Sequence, residues 1–259
     1  MAEIIREYRA EDRAALIELW SGIFGDKEEY ISYFLDNLPA FGVGAVGECD
    51  GRAVSMAYAV TGLSYMGKSV GYIYAVATDE NYRGRGLGEK VSRKAAELSK
   101  AEIITTFPAE DSLYDWYEKI LGTDNALHTR IVTVKADKSG GIIPVSAAKY
   151  NSEREKLLKY IPHVSLTDAA ARLEEKLCTT YGGGLFRCRE AIIAAYLDGS
   201  VCYVREALGG NIENAASALA AYLGAEEAKV RIADAGGERF AAIPDGAMDE
   251  KTVWNITFD

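Results

Sequence analysis

The stretch from Ser69 to Phe107 constrains this chain more than any other. Ser69 to Thr78 is rich in Tyr and Val and predicts a strand, which runs into Arg83-Gly84-Arg85-Gly86-Leu87-Gly88, a turn with glycines at alternate positions. Gly88 to Lys100 then carries Val91, Ala95, Ala96 and Leu98 on helical spacing, and Ile103 to Phe107 is again an apolar strand. Strand, glycine turn, helix and strand in immediate succession require an α/β chain. The same turn is built to hold an anion. Successive backbone N–H groups can converge on one set of oxygens, Gly86 and Gly88 allow close approach, and the helix start adds partial positive charge. That charge contributes about 0.3–1 kcal/mol, or up to ~2 where partly buried. A phosphate ester is the ligand this predicts, with Arg83 and Arg85 either pairing with it or forming a solvated face. The Rossmann fingerprint G-x-G-x-x-G does not fit the spacing of Gly84, Gly86 and Gly88.

The remaining elements follow from pattern. Ile4 to Tyr8 predicts a short strand, and a helix begins at Ala10-Glu11-Asp12 with Leu16, Ile17, Leu19 and Trp20 on helical spacing. A second helix, Lys27 to Leu38, is ended by Pro39. Gly42 to Glu48 and Ala53 to Leu63 form a hairpin about Cys49-Asp50-Gly51-Arg52. Pro108 to Ser112 starts another helix, with Leu113, Trp116, Tyr117 and Ile120 on one face, and Leu121-Gly122 closes it. Ala126 to Ala136 returns to a β pattern. Lys138-Ser139-Gly140-Gly141 is the best linker and divides the chain into domains 1–138 and 139–259. The second half reads as helices over Val145 to Tyr160, Thr167 to Thr180 and Ile212 to Leu223. Its strands fall at Leu185 to Arg187, Ile192 to Leu197, Val201 to Glu206, near Val230 and Phe240, and finally at Val253 to Phe258.

A formal charge of -10 argues against a nucleic-acid partner and suits a cationic or amine substrate. Cys49, Cys178, Cys188 and Cys202 are scattered, and neither His128 nor His163 has metal-ligand spacing with them, so no metal is expected. Met1 to Arg13 is too charged for a secretory leader, and no run of about 20 apolar residues suggests a membrane span. A cytoplasmic enzyme is expected, its oligomeric state open and a homodimer included.

Two motifs carry a family resemblance. Arg83-Gly84-Arg85-Gly86-Leu87-Gly88 fits the Q/R-x-x-G-x-G/A loop of the GNAT superfamily and follows a strand, as that family requires. Phe107-Pro108-Ala109 to Tyr117-Glu118-Lys119-Ile120-Leu121-Gly122 is similar to the family's strand-to-helix segment ending in YEKLG. On these, roughly Ile4 to Val134 resembles the GNAT acyltransferases, which move an acyl group from coenzyme A to an amine. The resemblance implies a mixed α/β (α+β) fold with a mostly antiparallel, splayed sheet flanked by helices. It implies acetyl-CoA as cofactor and acetyl transfer to a primary amine of a small molecule or peptide, by direct attack on the thioester.

The residue roles are implied in the same way. Arg83, Gly84, Arg85, Gly86, Leu87 and Gly88 would hold the pyrophosphate, and the main chain of Val76, Ala77 and Thr78 the pantetheine arm. Glu110 and Ser112 would lie at the mouth between splayed strands, unless Ser112 caps its helix. Tyr117 matches the family's tyrosine near the thiol and would protonate the departing thiolate; the alternative is an aromatic packed inward, as is expected of Tyr114. The strand Gly71 to Thr78 departs from many relatives in carrying no Glu. The general base is therefore open among Asp26, Glu28, Glu29, Glu48, Asp79 and water, with the terminal carboxylate at Asp259 added by likeness to the two-part enhanced intracellular survival group. The same departure keeps a non-catalytic acyl-CoA-binding or sensor protein as the alternative function.

Leu185 to Asp234 repeats the strand, strand, strand, helix, strand order and looks like a smaller, degenerate GNAT-like unit, with a helical or lipid-carrier-like fold as the alternative. Ala207-Leu208-Gly209-Gly210-Asn211 stands where the phosphate loop would be and lacks its arginines and glycine spacing. Coenzyme A is therefore expected to bind once.

Overall fold

Two glycine-assisted hairpins set the first sheet. Asp50 and Gly51 have φ of 49° and 83°, and Met66 and Gly67 of 48° and 83°, the left-handed pairs that let a two-residue turn match strand twist. In the computed structural model, which describes residues 3–137, 140–256 and 258, the elements run in chain order as follows. They are β1 Glu3–Glu7, α1 Arg13–Phe24, α2 Glu28–Phe41, β2 Gly42–Cys49, β3 Arg52–Tyr65, β4 Lys68–Thr78, α3 Leu87–Ser99, β5 Ile103–Thr106 and α4 Ser112–Leu121. Then come β6 Asn125–Lys135, β7 Ile142–Pro144, α5 Ala147–Leu157, β8 Val164–Leu166, α6 Asp168–Thr180, β9 Gly184–Cys188, β10 Ala191–Asp198, β11 Val201–Leu208, α7 Ile212–Leu223, β12 Glu227–Ala233 and β13 Glu238–Ile243.

The chain divides into two units, Met1–Ala126 with Phe240–Met248, and Leu127–Arg239 with Asp249–Asp259. The boundary lies before β6 rather than at residue 138, because β6 pairs antiparallel with β12 from Thr129↔Ala233 to Lys135↔Glu227. Such long-range pairing leaves no mark in local composition. Lys138 and Ser139 lie outside the described residues.

In the first unit the sheet order is β1-β2-β3-β4-β5-β13. All neighbours are antiparallel except β4 and β5, which run parallel because α3 carries the chain back between them. Alternation along β3 sorts the two faces. Ala57 and Ala59 join Ala45, Ile73, Val91 and Ala95 under α3. Tyr58 points the other way, to Trp20 of α1 and Phe34 of α2, with ring centroids 5.3 and 5.1 Å apart. α2 continues past Pro39 to Phe41, with the Gly42 N–H bonded to the Leu38 carbonyl. A proline this near the helix end loses little.

In the second unit the order is β6-β12-β11-β10-β9-β7. β9/β10 and β10/β11 are antiparallel and β11/β12 parallel, with α7 making the crossover, so β9 to β12 repeat the pairing pattern of β2 to β5. α7 buries Ala216, Leu219 and Ala220 against Ile193, Cys202, Val204 and Val230. Charge is buried here too. The Arg154 Nε and Nη2 donate to Glu206 at 2.8 and 3.2 Å, Tyr150 donates to the same carboxylate at 2.9 Å, and Arg205 Nε donates to Glu174 at 2.7 Å. The helix expected over Val145 to Tyr160 is shorter, starting after Ser146, whose hydroxyl caps it by accepting from the Lys149 N–H.

The final strand expected over Val253 to Phe258 does not form among the described residues. Val253 makes one isolated bridge, to His163. Trp254 Nε1 donates to the Ile256 carbonyl at 2.6 Å and Arg231 Nη1 to the Asn255 carbonyl at 3.1 Å, so side chains take acceptors that a ladder would use.

Candidate active site

The loop after β4 is shaped by its own hydrogen bonds. The Asp79 carboxylate accepts from the Asn81 N–H at 2.9 Å and starts a single 3-10 turn over Glu80–Tyr82. Gly84 and Gly86 then take φ of 78° and 71°, where a side chain is strained. Gly86 is the N-cap of α3, and the Lys90 N–H closes the first turn on its carbonyl at 3.1 Å. The amides of Leu87, Gly88 and Glu89 belong to the first turn and have no acceptor within the helix.

A Cβ placed on Gly84 or Gly86 would meet no atom within 4 Å, while one on Gly88 would face Thr78 Oγ1 at 3.7 Å and Trp116 at 3.9 Å. The amides thus open onto a recess of about 260 Å3 lined by Thr78, Tyr82, Arg83, Gly86, Leu87 and Trp116. Bare amides, a helix N-terminus and open space fit a pyrophosphate. Both arginines fold back beside the loop: Arg83 Nε donates to the Thr78 carbonyl at 3.2 Å, and the Arg85 guanidinium lies 5.1 Å from the Tyr82 ring centroid.

One step back along β4 the sheet divides. Val70 to Ile73 pair with Ile103 to Thr106, and the pairing with β5 stops there. Thr106 Oγ1 donates to the Ile73 carbonyl at 3.0 Å and ties the base of the fork. Toward β3 the register jumps from Tyr74↔Tyr58 to Ala77↔Met56, so Ala75 and Val76 form a bulge, with Ala75 at φ 49°. The Ala77 carbonyl accepts from Ser55 Oγ at 3.0 Å, and that hydroxyl lies 2.8 Å from Thr78 Oγ1.

Tyr117 is buried on α4 beside the Trp116 ring, at 4.7 Å between centroids. Burial pushes its phenol up to about 12, against the opposing effect of a hydrogen bond with Thr106, the residue at the base of the fork. It therefore keeps its proton through the neutral range. Tyr114 lies in the core, donating to the Phe240 carbonyl at 2.9 Å. Glu110 and Ser112 are exposed, with Ser112 Oγ donating to Glu110 at 3.3 Å. Asp111 occupies the N-cap position and Ser112 is the first helical residue, so Ser112 is not the cap.

The candidate bases separate. Glu48 accepts from Arg6 at 3.0 and 2.8 Å, Asp79 is engaged with Asn81 and lies 3.8 Å from Arg52, and Glu28 and Glu29 are exposed in the first turn of α2. Asp26 is half-buried and accepts from Trp20 Nε1 at 2.8 Å. Asp259 lies outside the described residues. The bulge at Ala75 and the tie at Thr106 were not foreseen from sequence: a bulge in a Val- and Ala-rich strand has no residue signature, and Thr106 was read only as part of the apolar strand Ile103 to Phe107.

The family model for the GNAT acetyltransferases matches residues 4–123. Among solved structures, a probable N-acyltransferase from Enterococcus faecalis is 15% identical with a TM-score of 0.67, covering 94% of this chain and 70% of that one. A protein from Pyrococcus horikoshii assigned as an acetyltransferase is 15% identical at 0.65, covering 96% and 91%. A GCN5-related N-acetyltransferase from Kribbella flavida is 13% identical at 0.63, covering 94% and 70%. At these identities the likeness is one of fold. No curated protein matches the chain. Among the described residues no helix is long and apolar enough to cross a membrane. Residues 4–123 thus match the GNAT acetyltransferase family, and the fold shared with these solved structures extends over nearly all of the length.

Proposed function

We propose that the protein is an acetyl-CoA-dependent N-acetyltransferase that acetylates a primary amine of a small molecule or peptide by direct attack on the thioester. The observation that carries this reading is the open recess at the N-terminus of α3, which adjoins a fork holding a protonated phenol. The amides of Leu87, Gly88 and Glu89 would bind the pyrophosphate, with Arg83 and Arg85 adding charge nearby. The free main-chain edge of Val76, Ala77 and Thr78 would receive the pantetheine arm as an added strand does, and Glu110 and Ser112 would line its mouth. Bound acetyl-CoA supplies the thioester.

Magnitudes decide how Tyr117 acts. A phenol near 12 facing a thiolate near 8.5 is uphill for full proton transfer by about 3.5 units, or about 5 kcal/mol. Tyr117 therefore serves as a hydrogen-bond donor that stabilises charge developing on sulfur, rather than as a proton source. The second unit is a degenerate GNAT-like domain that binds no coenzyme A. Neither nucleic acid nor membrane is a partner, and the enzyme works in the cytoplasm.

Purified protein given acetyl-CoA and a panel of primary amines should release free thiol only when an amine is present. Thermal stabilisation by acetyl-CoA with no thiol release across the panel would favour a non-catalytic acyl-CoA-binding protein. Stabilisation by NAD in place of acetyl-CoA would remove the cofactor assignment.

A further inference from the structure

The chain has three tryptophans, and their indole N–H groups are placed differently. Trp20 Nε1 donates to Asp26 Oδ2 at 2.8 Å and Trp254 Nε1 to the Ile256 carbonyl at 2.6 Å, both rings being fully buried. Trp116 is half-buried, and among the described residues its Nε1–H has no protein acceptor. An indole N–H ordinarily finds a hydrogen-bond partner once its ring is packed away. This one is directed to a partner outside the chain, either solvent or a bound molecule.

Where the ring stands decides between them. Trp116 lies on α4 and lines the recess before α3. Its Cη2 and Cζ2 atoms each lie 3.9 Å from a Cβ placed on Gly88, and Cζ2 is bonded to the ring carbon that bears Nε1. The nitrogen side of the indole thus borders the first turn of α3, where the amides of Leu87, Gly88 and Glu89 open into the same space. The acid in that lining, Glu89, is engaged elsewhere, accepting from Arg93 Nε at 3.0 Å. An indole N–H on one wall and helix amides on the other, around a space of about 260 Å3, suit an oxyanion with oxygens on more than one side. The same ring meets Tyr117 edge-on, at 4.7 Å between centroids and 68° between planes, so one side chain spans from the recess to the fork.

We propose that Trp116 is a cofactor-binding residue whose Nε1–H donates to a phosphate oxygen of bound coenzyme A, closing from α4 the cradle that the α3 amides form. This rests on the reading that the recess holds the pyrophosphate. The contact adds a side-chain donor to a site otherwise built of main chain, and it ties the seating of the cofactor to the ring that packs on Tyr117.

The test uses Trp116→Phe, which keeps an aromatic wall beside Gly88 and Tyr117 and removes the donor. In the nitrogen–proton correlation spectrum the indole resonance missing from the variant is that of Trp116. Because the other two rings are fully buried, it should also be the indole N–H that exchanges fastest with solvent, which gives the assignment without the variant. When native protein is titrated with coenzyme A, or separately with inorganic pyrophosphate, this resonance should move downfield while those of Trp20 and Trp254 stay. Pantetheine, which carries no phosphate, should leave it in place. By calorimetric titration the variant should bind coenzyme A at least about ten-fold more weakly, with circular dichroism unchanged. A resonance unmoved at saturating coenzyme A, an equal response to pantetheine, or equal affinity in the variant would overturn the proposal. Failure of coenzyme A to bind the native protein would overturn it together with the cofactor reading. Binding and a moved resonance with no thiol release on any amine would sustain the role of Trp116 and defeat acetyl transfer, and thiol release with an unmoved resonance would do the reverse.

Discussion

The β4–α3 loop and the β11–α7 loop start from the same pairing and differ in how the helix start is capped. In both, a strand pairs in parallel over four residues, Val70 to Ile73 with Ile103 to Thr106 and Val201 to Val204 with Glu227 to Val230, and then enters a glycine loop before a helix. Gly84 and Gly86 face open space. A Cβ on Gly209 would lie 2.5 Å from the Glu190 carbonyl oxygen and 3.2 Å from the Leu157 side chain, so this glycine is packed against the β9–β10 turn and α5, while a recess of about 450 Å3 lies beside Gly210, Asn211 and Asn214. Gly86 caps α3 without a side chain, whereas the Asn211 carboxamide accepts from the Asn214 N–H of α7 at 2.9 Å. The forks differ as well. The first holds neutral Thr106 and Tyr117, the second the buried pairs of Glu206 with Arg154 and Arg205 with Glu174. Glycine and open space near a helix start are thus not enough for a phosphate site: the amides must also be left uncapped.

The largest expected effect lies in the fork beside the capped loop. Arg154→Ala strands the fully buried Glu206 and should cost about 3–5 kcal/mol of second-unit stability, read by denaturant unfolding; a loss under about 1 kcal/mol would mean that this fork is not held by charge. In the open loop, Gly86→Val forces a branched residue to φ 71° and fills the recess. Acetyl-CoA affinity should fall about 100-fold, or about 2.7 kcal/mol, by calorimetric titration, while circular dichroism stays native. Unchanged affinity would move the cradle elsewhere.

Tyr117→Phe should lower turnover about 10- to 100-fold, as the loss of one donor to developing charge does, with little change in KM for acetyl-CoA. Because the native phenol holds its proton to about 12, the ratio of native to variant turnover should stay flat from pH 7 to about 10. Folding stability carries the matching sign. The unfolded tyrosine ionises near 10 and the folded one near 12, so Tyr117 contributes a stability loss as pH rises between those values, absent in the phenylalanine variant. The smallest effect belongs to the closed cap: Asn211→Ala should cost about 1 kcal/mol by thermal unfolding and leave acetyl-CoA binding unchanged. Weakened binding would mean that the second loop takes part after all.

What sequence revealed and concealed follows the same physical line. The α3 loop was legible because glycines at left-handed positions and an amphipathic helix are local properties, and α7 was legible over the same span, Ile212 to Leu223, for that reason. The second loop was only half legible: missing arginines could be read, but the approach of Glu190 and Leu157 to Gly209 depends on residues distant in sequence. The segment from Val253 to Phe258 alternates like a strand, yet side-chain donors claim its carbonyls. The domain boundary was misplaced because β6 is committed by its partner β12, about 100 residues on.

The return of Phe240–Met248 to the first unit has a consequence for synthesis. The Ala242 carbonyl accepts from Thr105 Oγ1 at 2.8 Å and the Phe240 carbonyl from Tyr114, so β5 and α4 are completed by a segment made long after them. Residues 127–239 leave the ribosome in between, which at about 5–20 residues per second takes roughly 6–23 s. Throughout that interval the nascent first unit carries an unfinished sheet edge, and a chaperone bound to that edge would have to leave before β13 could dock.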